Sequence, residues 1–78
     1  MSLTRPIQPM PDDVAIALRE AGLRPAYDAR PAFQRNDYLM WIAKAARAET
    51  RAKRLAQMLD ELRRGDVYMK MAWKGRGT

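Results

Sequence analysis

Cysteine and histidine are both missing from this chain, and serine occurs once, as Ser2. The first absence excludes disulfides and thiolate ligands; the second removes the commonest metal ligand and the side chain most used for proton transfer near neutrality. With neither present and the one serine near the start, there is no nucleophile and base arrangement to recognise. Long hydrophobic runs are also lacking. The longest is Tyr38 to Ala43, six residues, against the roughly 20 needed to cross a bilayer. The opening stretch holds Pro6, Pro9 and Pro11 and no apolar core, so it does not read as a signal peptide, and a cytoplasmic protein is the expectation. Glycine is scarce, and Gly75-Arg76-Gly77 lacks the following lysine and helix of a phosphate-binding loop. Paired carboxylates are the remaining catalytic option. Asp12 and Asp13 are explained by their place at a helix start, while Asp60 and Glu61 fall at an exposed helix end where no burial would raise a pKa. The expectation is a protein that is not an enzyme and that uses no metal and no cofactor.

What is present is an ordinary globular balance, 47% hydrophobic and 31% charged residues in a chain of 78. A chain of this size makes one small core and buries only about 60% of its unfolded surface. The formal charge is +6, and it is unevenly placed. Residues 1–39 balance five basic against five acidic side chains, whereas residues 40–78 carry ten against four. The second half therefore suits an anionic partner, whether nucleic acid, a lipid surface or an acidic protein.

The pattern predicts an all-α fold: a small single-core bundle of three main helices plus a short helical turn, with an extended leader over residues 1–10 and a tail over residues 66–78. Asp12 and Asp13 place acid at the start of a first helix, residues 12–21, whose Val14, Leu18 and Ala21 share a face and which stops at Gly22. Pro25 opens a turn over residues 25–29 that carries Tyr27 inward. In the helix predicted over residues 31–46, Tyr38, Trp41, Ile42 and Ala45 form the apolar stripe, with Phe33 extending it. A bend within the small-residue run Ala43 to Ala48 leads to a last helix, residues 48–64, closed by Gly65, with Ala52, Leu55, Leu59 and Leu62 as its inner face. The tail alternates Val67, Met69, Met71 and Trp73 against Tyr68, Lys70, Ala72 and Lys74, the period of a strand. A lone strand has no partner within the chain. It is expected to pair across a dimer, to lie over the helices anchored by Trp73, or to stay disordered.

From Pro11 to Gly65 the residues resemble a known family. Pro11-x-Asp13, Leu18, Ala26-Tyr27, Pro31, Tyr38-x-x-Trp41-Ile42, Ala45-x-Arg47, Glu49-Thr50-Arg51-Ala52-x-Arg54-Leu55 and Leu62-x-x-Gly65 are similar to the C-terminal domain of the YdeI/OmpD-associated proteins, also named for bacteriocin protection. The Trp-Ile and Glu-Thr-Arg pieces at this spacing are the specific part. Two positions depart from the pattern: Ala48 stands where proline is usual and Ala46 where lysine is. The resemblance implies a compact helical module of bacteria, linked by name to protection against bacteriocins and to an outer-membrane porin, and it brings no catalytic motif.

Lys44, Arg47, Arg51 and Arg54 are the candidate partner- or anion-binding residues. If one helix ran through them, their spacing of three, four and three would make a basic ridge, with like charges close enough to repel. Such a ridge fits a phosphate backbone, and nucleic acid is the alternative partner. The plainer reading makes them surface cations whose stems cover the core rim, Arg51 or Arg54 reaching Asp37 or Asp13 across the fold. Tyr38 and Trp41 at helical spacing read as core rather than as platforms for bases. The reading reached is a non-catalytic interaction module whose partner is another protein.

Overall fold

The computed structural model describes residues 8–72. Four helices follow one another: α1 (Asp12–Ala21), α2 (Arg24–Asp28), α3 (Ala32–Ala43) and α4 (Ala48–Arg64). A two-stranded hairpin, β1 (Val67–Tyr68) and β2 (Met71–Ala72), closes the described chain. The fold is all-α apart from that hairpin, and α4 touches α1, α2, α3 and β1.

Local chemistry sets each boundary. Pro11 takes the cap position of α1 with extended angles, leaving Asp12 and Asp13 in the first turn beside the positive end of the helix dipole. Gly22 ends α1 at φ 69°, donating to the Arg19 carbonyl, while Leu23 donates to the Leu18 carbonyl. The reversal turns Leu23 into the core and leaves Ala21, expected inside, at the exposed rim. Tyr27 of α2 is buried as the sequence indicates. In α3 the buried line is Gln34, Tyr38 and Ile42 at intervals of four, with Leu39 beside it. Phe33 lies five residues before Tyr38 and so well around the helix from it; it is 51% exposed and meets only the edge of Tyr68 among described aromatic rings.

Helix α3 stops at Ala43, three residues short of the expected end, because Lys44 closes the last turn and the chain then extends to Arg47. Ala45 therefore leaves the helical stripe. Helix α4 spans the residues expected of it, but its inner face is rotated: Met58, Glu61 and Leu62 are buried, Leu55 and Leu59 pack from the side, and Ala52 is exposed.

The tail departs most from expectation. It is not one partnerless strand, because the chain reverses at Met69 and Lys70, both at positive φ (51° and 65°), and pairs with itself. Val67 faces Ala72 and Tyr68 faces Met71. Trp73 and Lys74 lie outside the described residues, as do residues 1–7 of the leader. Of the leader's described end, Gln8 donates its backbone N–H to Asn36 Oδ1 at 2.7 Å and Met10 packs on the core.

Candidate functional site

The four cations singled out by the sequence do not share one helix. Lys44 caps α3 and Arg47 precedes α4, with the interruption of the helix between them, so no continuous ridge forms. Both are exposed, and among the described residues no carboxylate pairs with either. Arg51 turns toward α1, where its Nε and Nη2 meet the Asp13 carboxylate at 2.9 and 3.0 Å, and its Nη1 reaches the Ile42 carbonyl at 3.4 Å. The Arg51 hydrogen bond is the main cause that holds the Asp13 carboxyl below its ordinary range. Arg54 donates from Nη1 to the Trp41 carbonyl at 2.7 Å and lies over the indole, 5.3 Å from its centroid. The Trp41 carbonyl belongs to the last turn of α3, where helical carbonyls run out of backbone donors. Arg54 supplies one from the neighbouring helix.

A second cluster was not legible as such. Glu61, placed by the sequence at an exposed end, is 2% exposed. Its carboxylate accepts from the Tyr38 hydroxyl, from the amides of Met69 (2.8 Å) and Lys70 (2.9 Å), and from Gln57 Nε2 (3.0 Å). Burial is the largest single influence and pushes its pKa up; the hydrogen bonds together outweigh it, and the group titrates below its ordinary value. The reverse holds for Tyr38, whose phenol is pushed well up by burial and then by its bond to Glu61. Buried Arg30 adds bonds to the Glu61 main-chain carbonyl at 3.0 Å and to Gln34 Oε1 at 3.1 Å. With four donors around it, the Glu61 carboxylate is fully engaged in hydrogen bonds. Its work is to hold the hairpin turn against the bundle. The signals for it in the sequence are a tyrosine on the core stripe of α3, which needs a buried partner, and an acid one turn before Gly65.

The hairpin so held builds an open groove. It has a volume of about 420 Å³ and is lined by Met40, Trp41, Met69, Met71 and Tyr68, with Asp37 and Lys44 at its polar margins. Asp37 Oδ2 accepts from the Tyr68 hydroxyl at 2.7 Å, and the Tyr68 ring meets Tyr38 edge-on at 5.4 Å between centroids. Met71 is 60% exposed. Thioether and indole surface at the mouth of a groove is adhesive and adaptable rather than reactive.

A second hollow, about 450 Å³, lies on the other side of the hairpin among Asp60, Arg64, Asp66 and Lys70. Those four side chains are exposed, buried Glu61 also lines the hollow, and Arg64 pairs with Asp60 at 3.2 Å. Among the described residues no group of three or more carboxylates is placed to hold a metal ion, and no helix is long and apolar enough to cross a membrane.

Residues 9–65 match the family model described as bacteriocin-protection, YdeI or OmpD-associated. Neither the curated proteins nor the solved structures gave a match. The matched stretch contains all four helices and stops before the hairpin.

Proposed function

The chain belongs to the bacteriocin-protection, YdeI or OmpD-associated family, and from that premise we propose that it is a non-catalytic interaction module that acts by docking on another protein, in bacterial stress or bacteriocin protection. One observation carries the proposal: the groove of Met40, Trp41, Met69 and Met71 stands open beside a finished core. Met71 is exposed and Met40, Trp41 and Met69 are half-buried beside it, and apolar surface gathered at a concave face is the usual sign of a binding site. The buried polar groups argue in the same direction, because Glu61, Tyr38, Arg30 and Gln34 are engaged with one another and with backbone. Nucleic acid as partner draws less support, since the break at residues 44–47 separates the four cations and Arg51 and Arg54 are tied to the fold.

Site-directed photocrosslinking tests the proposal. With p-benzoylphenylalanine in place of Met71, irradiation in a nuclease-treated bacterial lysate is expected to give discrete protein adducts. The same group in place of exposed Glu20 on α1 should give none of them. Identical adducts from both positions, or no protein adduct from position 71, would count against it.

A further inference from the structure

We propose that the groove between α3 and the hairpin receives an acidic amphipathic segment of the partner, seating an apolar side chain on Trp41 and the methionines and a carboxylate on Lys44. This deepens the docking reading and rests on it. The apolar half of the argument is the lining itself: three methionines and an indole accept branched or aromatic anchors of several shapes.

Charge decides the rest. Lys44 lines the groove, and no carboxylate among the described residues pairs with it. Arg54 lies over Trp41, 5.3 Å from the ring centroid, and bonds the Trp41 carbonyl through Nη1; it stands outside the groove lining and adds positive charge beside the indole rather than a seat within it. The acid at the groove, Asp37, already accepts from Tyr68. Its negative charge disfavours a second carboxylate beside it and directs the partner's acids to the Lys44 side. A polyanion such as nucleic acid would use the same cations and would have little need of Met71.

The test uses the full chain carrying Trp73→Phe, so that Trp41 is the sole indole. Its emission is titrated with a synthetic helical peptide bearing leucine along one face and glutamate on the others. Three controls are a peptide with lysine for glutamate, one with serine for leucine, and a single-stranded oligothymidine. The Leu/Glu peptide is expected to blue-shift the emission and to bind at least about tenfold tighter than the other two peptides. Lys44→Glu and, separately, Met71→Asp should each weaken it by about tenfold with unchanged far-UV dichroism. Equal binding of the lysine and glutamate peptides overturns the proposal, as does equal binding of the serine peptide. Oligothymidine that binds more tightly than the Leu/Glu peptide, and equally well to the Met71→Asp variant, also overturns it and assigns the cations to a polyanion. Absence of peptide binding with crosslinking at position 71 intact refutes the acidic chemistry and leaves the docking reading standing. Loss of both removes that reading as well.

Discussion

A carboxylate kept out of water in an apolar bundle must share its charge among donors, and Glu61 does so with a phenol, two amides and a side-chain amide. Its pKa lies below the ordinary value near 4.5, so the unfolded chain binds the proton more tightly than the folded one. The linked stability is therefore fully present above the unfolded pKa and disappears as pH falls through the folded one. Urea unfolding from pH 6 down to pH 3 should show the wild type losing stability on acidification. Glu61→Gln should begin lower by about 3 kcal/mol, because its amide cannot accept from all four donors, and should fall less steeply. Some acid slope will remain, since the Asp13 carboxyl shifts in the same direction through Arg51. Parallel slopes in the two proteins would show that Glu61 is not the group responsible. Arg54 is the other residue with a role beyond its charge. Arg54→Ala leaves the Trp41 carbonyl without its donor and the indole uncovered, and should cost about 1–2 kcal/mol in denaturant unfolding with a red shift in tryptophan emission. Arg54→Lys should recover only part, because an ammonium lacks the planar fork that covers the ring.

Among the elements, those whose ends are set by backbone chemistry were legible. Gly22 and Gly65 stop α1 and α4 where a residue at positive φ was expected, and Tyr27, Tyr38 and Ile42 point inward from their own helices. The face of α4 was less so, because hydropathy places leucines inside and cannot foresee that a hairpin will offer amides to Glu61. Met58 went unnoticed for the same reason: it takes the centre of a face that leucine spacing had put one position along. The hairpin itself was illegible at its turn. A two-residue connection with both central φ positive normally carries asparagine, aspartate or glycine, and here it is Met69-Lys70. The alternation on either side is that of a strand, so the eye runs straight through. The same mismatch gives a prediction at this scale. Lys70→Gly keeps the amide that Glu61 needs and removes a side chain from a left-handed position, so it should raise stability by about 0.5–1 kcal/mol. Lys70→Ala removes the same charge without relieving the backbone and should bring no such gain. If both variants gain equally, repulsion among the cations and not backbone strain was the cost.

At the scale of the whole molecule, a neutral first half and a basic second half are joined by long-range contacts, Arg51 of α4 to Asp13 and Arg30 to the Glu61 carbonyl, while Arg54 reaches back within the second half to the end of α3. The family-matched stretch contains those contacts but ends before the hairpin that walls the groove. Bundle and groove are therefore separable in principle, and truncation after Gly65 asks whether they are separable in fact. The shortened chain retains all four helices and the Arg51–Asp13 bridge, and loses two of Glu61's donors, the Tyr68 bond to Asp37, and Met69 and Met71. It should keep the helical far-UV spectrum and unfold cooperatively, at a stability lower by about 2–3 kcal/mol for the amide donors and ring contacts removed. Trp41 in the truncated chain should no longer respond to the Leu/Glu peptide at concentrations that saturate the full chain. A truncated bundle that still binds the peptide would place docking on the helices alone and leave the hairpin as a cover for Glu61. A truncated chain that binds nothing, while melting as a bundle, would make the residues beyond the family match the ones that create this protein's binding face.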